Sequence, residues 1–228
     1  VGGTSYRQWP ADSLLGRTHD RIRQALLGLG TPVRYRSRQT VIRQGEEGLF
    51  TVLLLSGCVK VVVNTEFGQD VLLAVRGAGD LCGEMAVLEA RRRSANVIAC
   101  VPVHARLIHS KQLVDFLEHT PEAGVALARA VSERLRWAND RRAEFVACPA
   151  PIRVARVVIE INRKHGHSPV PLSQAEIASL AGVAPRTAEK ALQTMQRAGL
   201  VHRSYRRTVV TDMERLRRFA EISAEIPY

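Results

Sequence analysis

The chain has 228 residues and is poor in several features that mark large protein classes. Aromatic residues make up only 5%, and the four cysteines (Cys58, Cys82, Cys100, Cys148) include no C-x-x-C pair. That spacing argues against a zinc ribbon, a thioredoxin-type motif or a disulfide scaffold. Long apolar runs are also missing. Val52–Leu55 and Val61–Val63 fall far short of the roughly 20 residues that cross a bilayer. No stretch near Val1 reads as a secretory leader, which predicts a cytoplasmic protein without a membrane partner. There is no G-x-S-x-G, no Walker A loop and no H-E-x-x-H, so enzymatic activity is not expected. His165-x-His167 reads as an ordinary polar loop, and no metal site is expected.

Acidic charge is scarce: 33 Lys+Arg face 22 Asp+Glu, a formal net charge of +11. Hydrophobic residues make up an ordinary 46%, so the chain should fold around a real core. The surplus of positive charge predicts a polyanionic partner, with nucleic acid first.

The texture changes twice along the chain. Residues 1–17 have no clear period and are expected to form a loose arm. Ile22, Ala25, Leu26 and Leu29 share one face of a short helix stopped by Gly30 and Pro32. From about Val33 to Ile108, short β-rich runs alternate with Gly45, Gly57, Gly68 and Gly79. Turn signals at such regular spacing predict a β sandwich or barrel. After a short helix over 111–118, Pro121 can open a long helix reaching about Ala147. Val125, Ala128, Val131, Leu135 and Ala138 make a narrow apolar seam on it, which suits pairing with a second helix, the alternative being packing on its own β domain. The Cys148-Pro149-Ala150-Pro151 stretch breaks that pattern and marks a hinge. The expected organisation is therefore an arm (1–17), an effector-binding β domain (18–120), a dimerisation helix (121–147), a hinge (148–151) and a C-terminal unit (152–228).

The C-terminal unit carries the clearest signal. Ser173 and Glu176 form a capping box at the start of one helix. Ala181-Gly182-Val183 makes a tight turn, and a second helix opens at Pro185. Leu200–Arg203 and Thr208–Val210 read as two strands around a basic tip. The pattern is a winged helix-turn-helix, whose second helix fits the DNA major groove. Residues 150–228 hold 13 Lys+Arg against 7 Asp+Glu, a disproportionate share of the surplus positive charge. Arg186, Glu189 and Lys190 lie away from the helix's apolar side. Arg and Lys can donate to guanine, and Glu can accept from cytosine. Ser173, Pro185 and Thr187 complete the candidate DNA face, with Arg203, Arg206 and Arg207 of the wing suited to phosphates.

A second stretch suits a small ligand. Gly83-Glu84-Met85 is followed by Arg91-Arg92-Arg93-Ser94-Ala95. Glycine lets the backbone approach a ligand, Glu84 can accept from a ribose hydroxyl, and Arg93 with Ser94 can hold a phosphate.

The succession of β-roll, long helix and winged helix resembles the CRP/FNR family of bacterial transcription regulators, from about residue 18 onward. That family's phosphate-binding cassette, G-E-aliphatic followed by R-S-A, is matched by Gly83-Glu84-Met85 and Arg93-Ser94-Ala95. The resemblance implies an α+β fold with a jelly-roll, cyclic-nucleotide-binding-like β-roll, a long dimerisation helix and a C-terminal winged helix-turn-helix. It implies a ribose contact at Glu84 and a cyclic-phosphate contact at Arg93 and Ser94, with Arg91 and Arg92 left open as alternatives. Arg134 matches the family's arginine on the long helix. Ala138-Asn139 stands where cyclic-AMP-binding members often carry Thr-Ser or Thr-Asn against the base. The implied ligand is cAMP or a related cyclic nucleotide, and the alternative is another effector or none. No cofactor is required. The implied partners are a two-fold double-stranded DNA operator, a second copy through the long helix, and RNA polymerase. Ala184-Pro185-Arg186-Thr187 stands where relatives often carry S-R-E-T, which implies a different operator from the catabolite activator's.

Overall fold

The computed structural model describes residues 9–165, 170–204 and 207–221. Two short helices, α1 (Leu14–Arg17) and α2 (Asp20–Gly28), lead into the β-roll. It contains β1 (Thr31–Tyr35), β2 (Thr40–Ile42), β3 (Phe50–Ser56), β4 (Cys58–Asn64), β5 (Asp70–Gly77), β6 (Leu81–Cys82), the short helix α3 (Glu84–Leu88), β7 (Asn96–Ala99) and β8 (Val103–His109). Two four-stranded antiparallel sheets form, in the orders β1-β8-β3-β6 and β2-β7-β4-β5. Strands far apart in sequence are neighbours in both, as in a jelly roll. Alternate residues of each sheet, among them Val52, Leu54, Val59, Val97, Val103 and Ala105, meet between the layers. Two strands had no clear β signature in the sequence. β1 contains Pro32, tolerated because β1 lies at a sheet edge where a missing N–H breaks no central ladder. β6 is only two residues long.

The helices α4 (Ser110–His119) and α5 (Pro121–Ala147) follow. The 27 residues of α5 span about 40 Å. Its two faces differ. Ala123, Ala126, Leu127 and Ala130 are buried beside Leu15, Leu53 and Leu113, the small alanines letting the helix lie close to the roll. Val125 and Leu135 on the expected seam stand 51% and 62% exposed, with Ala128 and Ala138 exposed beside them.

The expected loose arm needs correction in its described part. Ser13 caps α1, and Leu14 and Leu15 are buried in the layer between the β-roll and α5. Leu14 and Leu15 dock it without a visible period, because a single helical turn is too short to display one. The break between the two helices is also narrower than the expected hinge of 148–151. Only Cys148 and Pro149 leave the helical conformation, since Pro151 fits within the first turn of α6 (Ala150–His165), where its missing N–H costs nothing.

The C-terminal unit continues with α7 (Gln174–Ala181), α8 (Pro185–Arg197), β9 (Val201–Ser204), β10 (Arg207–Val210) and α9 (Met213–Glu221). The capping box at Ser173 and Glu176 is complete in both directions. Val154, Val157, Val158 and Ile161 of α6 are fully buried against Ile177, Leu180, Ala188, Leu192 and Met195. That same apolar layer continues into the β-roll through Cys58, Val62, Leu72 and Val75, so the winged helix is seated on the β4–β5 face. Polar contacts fix the seat. The Leu72 amide donates to Ser179 Oγ at 3.1 Å, and Lys60 pairs with Glu176. Gly77 has no side chain where the α6 backbone passes. A Cβ there would lie 2.2 Å from the Lys164 carbonyl oxygen.

Candidate functional site

Gly83 caps α3 at φ +85°, a left-handed conformation that glycine adopts without strain. A Cβ at this position would lie 2.7 Å from Arg93 Nη1. The glycine therefore both makes the turn and admits the guanidinium. Arg93 is buried, donates to the Gly83 carbonyl at 2.7 Å and to the Phe50 carbonyl, and stacks over the Phe50 ring at 5.0 Å. The three consecutive arginines separate clearly. Arg91 is exposed and 3.9 Å from Glu89, and Arg92 donates to the Gly45 carbonyl at 2.9 Å. Arg93 is the one carried into the cassette.

Glu84 is 4% exposed and meets the long helix: Arg134 Nη1 donates to its Oε1 at 2.6 Å. Arg134 Nη2 donates to the Leu81 carbonyl at 2.7 Å and lies 3.9 Å from Asp80. Burial alone would lower the Arg134 pKa. The neighbouring Glu84 and Asp80 carboxylates outweigh it and hold the guanidinium above its ordinary value. Arg93 moves the other way, lowered by desolvation that Glu46 and Glu84 only partly offset.

The structure thus brings Gly83, Glu84, Arg93 and Arg134 together at one end of the β-roll, beneath α5. It leaves Met85, Ser94, Ala138 and Asn139 on exposed surface near them in sequence. Cys82, on the strand leading into the cassette, is pushed up to about 12 by its burial and stays a thiol.

Sequence reasoning missed a set of charges behind the cassette. Asp80, 4% exposed, accepts from the Gly77 amide at 3.0 Å and lies 3.7 Å from Lys164 Nζ of α6. Lys164 also reaches Asp12 at 2.6 Å. Glu84, Arg134, Asp80 and Lys164 therefore form a chain of alternating charge from the cassette to the first helix of the C-terminal unit. A cavity of about 250 Å³ lies along it, lined among others by Arg76, Asp80, Arg134, Trp137, Glu160 and Lys164. The cavity shares Arg134 with the cassette. Burial lowers the Arg76 pKa, and nearby Arg134 adds to the effect. Glu160 is raised by burial despite its 2.7 Å bond from Arg141. Asp80 stood within the glycine-rich stretch, but its partner lies 84 positions away in sequence, a distance no local pattern reports.

At the opposite end of the chain, α8 turns Ala188, Ala191, Leu192 and Met195 inward. Pro185, Arg186, Thr187, Glu189 and Lys190 are all exposed on its outer side. Ser173 is engaged differently: its hydroxyl accepts from the Glu176 amide and donates to the Glu176 carboxylate at 2.8 Å. Arg203 on β9 is half-buried, with an Nε that has no hydrogen-bond partner. Arg207 lies on β10, Arg206 lies outside the described residues, as does His167. The helix α9 after the wing adds exposed Arg215, Arg217 and Arg218.

A jelly roll with a buried Glu–Arg cassette, joined by a long helix to a winged helix with an exposed reading face, defines a class: DNA-binding regulators with a nucleotide-type sensory domain. Comparison with known families agrees. The cyclic nucleotide-binding domain family matches residues 32–120, and the Crp-like helix-turn-helix domain family matches residues 152–219. The chain belongs to the CRP/FNR family of transcription regulators. It is 28% identical over 199 residues to a CRP-like cAMP-activated global transcriptional regulator of Mycobacterium tuberculosis, covering 83% of this chain and 88% of that one. Among solved structures, a CRP-family transcriptional regulator of Thermus thermophilus superposes with a TM-score of 0.70 at 23% identity, over 83% of this chain and 96% of that one. The c-di-GMP-responsive global regulator CLP of Xanthomonas campestris superposes equally well, at 0.70 and 19% identity, over 85% and 100%. These relatives are regulators rather than enzymes, and no helix among the described residues is long and apolar enough to cross a membrane.

Proposed function

We propose that the protein is a homodimeric, cytoplasmic, sequence-specific regulator whose DNA affinity is set by a cyclic nucleotide, cAMP first, bound at the cassette. The observation that carries this reading is the meeting of Glu84, Arg93 and Arg134 under α5, with Arg93 desolvated and donating only to neutral partners. A phosphate is a stronger acceptor than either carbonyl, and a buried guanidinium gains most from it. A ribose hydroxyl donating to Glu84 would compete with Arg134. Arg134 is linked through Asp80 to Lys164, so the exchange is felt at α6. A ligand moves such a balance only by its differential affinity for the two arrangements.

In this reading residues 18–120 form the sensory unit, 121–147 pair two subunits along the exposed Val125–Leu135 seam, and 152–228 bind DNA. Two-fold pairing sets the half-sites about one DNA turn apart, roughly 34 Å. Arg186, Glu189 and Lys190 read bases, Pro185 and Thr187 flank them, and Arg203, Arg206 and Arg207 approach phosphates. RNA polymerase is the partner at promoters.

Calorimetry with cAMP and with cGMP tests the proposal. Binding of either at one per subunit is expected, together with sedimentation as a particle of two chains. Absence of heat with both overturns the cyclic-nucleotide part. A second reading keeps the DNA-binding regulator and assigns it another effector or none. It is favoured by Glu84 and Arg134 satisfying each other and by Ala138, which offers no hydroxyl to a base.

A further inference from the structure

Two cysteines far apart in sequence lie side by side in the floor on which α6 rests. The β4–β7 register pairs Val59 with Ala99 and Lys60 with Ile98. One step beyond the end of this ladder the same register sets Cys58 across from Cys100, and the Cys100 amide donates to the Cys58 carbonyl at 3.0 Å. Hydrogen-bonded antiparallel partners hold their Cα atoms about 5.5 Å apart, within the range that a disulfide spans without backbone movement. Opposed residues also point to the same face of a sheet, which sets the two thiols side by side. On its other side Cys58 stands opposite Gly77, the residue whose missing Cβ makes room for the Lys164 backbone. The pair therefore faces the C-terminal unit. Cys58 belongs to the apolar layer shared by the two halves of the molecule, and Cys100 packs against it.

We propose that Cys58 and Cys100 are an oxidation site that peroxide closes into a reversible disulfide beneath α6. The two thiols have different roles. Cys58 is fully buried, whereas Cys100 keeps part of its surface in solvent. The neighbouring Cys100 thiol, and then burial, push the Cys58 thiol far above the usual range, so it holds its proton. Cys100 is the thiol that peroxide reaches. Its thiolate attacks one peroxide oxygen, the O–O bond breaks, and the departing hydroxide takes a proton to become water, leaving Cys100 as a sulfenic acid. The Cys58 sulfur then attacks the Cys100 sulfur. The S–O bond breaks, the hydroxide leaves with the Cys58 proton as water, and an S–S bond remains. Two thiols and one peroxide become one disulfide and two waters. A dithiol reductant reverses the step by exchange.

The full-length protein, reduced and freed of reductant, is treated with hydrogen peroxide, alkylated under denaturing conditions and mapped by mass spectrometry. The expected result is loss of two of the four thiols, a single Cys58–Cys100 linked peptide pair, and recovery of all four thiols with dithiothreitol. Cys100→Ser should keep the remaining three thiols free under the same treatment. Cys58→Ala should trap Cys100 as a sulfenic acid that dimedone labels. Four thiols surviving peroxide, a bridge through Cys82 or Cys148, or unchanged thiol loss in Cys100→Ser would each overturn the proposal. Cys100 is partly exposed, so Cys100→Ser tests the idea even if Cys58→Ala folds poorly.

Discussion

The cassette and the reading helix are both rich in arginine and glutamate, yet they treat charge in opposite ways. At the cassette, Arg93, Glu84 and Arg134 are withdrawn from water and committed to neighbours at 2.6 to 2.7 Å. On α8, Arg186, Glu189 and Lys190 stand in solvent. Under the proposed function the difference follows from the sizes of the two partners. A small anion buries nearly all its surface, so its donors must be aligned and desolvated in advance. A DNA duplex brings its own extended field, and the side chains that meet base edges must be free to enter a groove. The cassette's charges are therefore structural even without ligand, while those of α8 can be changed at little cost to the fold.

The largest effect that sharpens this contrast is expected from Arg134→Leu. It leaves Glu84 buried without its cation and Asp80 with Lys164 alone, and losing one member of such a buried pair costs about 3–5 kcal/mol. Urea unfolding should register that loss, and adding Glu84→Gln should restore much of it. A double variant no more stable than the single one would show that Arg134 serves packing rather than charge. Next comes Arg93→Leu, which removes charge-assisted bonds worth about 1.5–3 kcal/mol each. Titration with the nucleotide should show affinity falling about 100-fold or more, while ligand-free DNA binding persists. An unaffected affinity would place the phosphate elsewhere.

On the other side of the comparison, Arg186→Ala should leave the unfolding midpoint unchanged. It should weaken operator binding by about 1–3 kcal/mol at a single base position. Competition against operators altered one base at a time measures it, and an equal loss on all sequences would make Arg186 a phosphate contact.

The smallest effect concerns the seat between the two halves. Burial would raise the Glu176 pKa, but Lys60 and Ser173 overcome it and hold the carboxyl below its ordinary value. A carboxyl lowered on folding contributes stability that is complete above its unfolded value, about 4.3. That contribution disappears as pH falls through the lower folded value. The pair is a quarter exposed, so its share is under about 1 kcal/mol. The protection of the Leu72 amide, bonded to Ser179, against hydrogen exchange, taken relative to its intrinsic rate at each pH, should fall on acidification in the parent protein. In Glu176→Gln that protection should be lower already at neutral pH.

Much of this architecture was legible locally. The four turn glycines all adopt positive φ, α5 runs over the expected 121–147, and the capping box at Ser173 forms as its spacing indicated. Each depends on interactions within a few residues, which is why a linear reading finds them. The cassette was half legible: Glu84 and Arg93 announce themselves by motif, but choosing Arg93 over Arg91 and Arg92 required a strand register and the ring of Phe50. Ser173 was named for DNA on its position, and its hydroxyl is occupied in the helix cap.

By itself, then, the sequence determined the kinds of element and their order, the polarity of each helix face and the residues able to meet a nucleotide or a base. These follow from backbone preference and periodicity, which act over one or two turns of chain. Only the tertiary structure decided that the winged helix rests on β4 and β5, that Arg134 links Glu84 to Asp80 and Lys164, and that Cys58 meets Cys100. Such contacts join residues 40 to 120 positions apart. Their free energy comes from desolvation and packing that exist only once the β-roll has closed, so no local pattern in the chain encodes them.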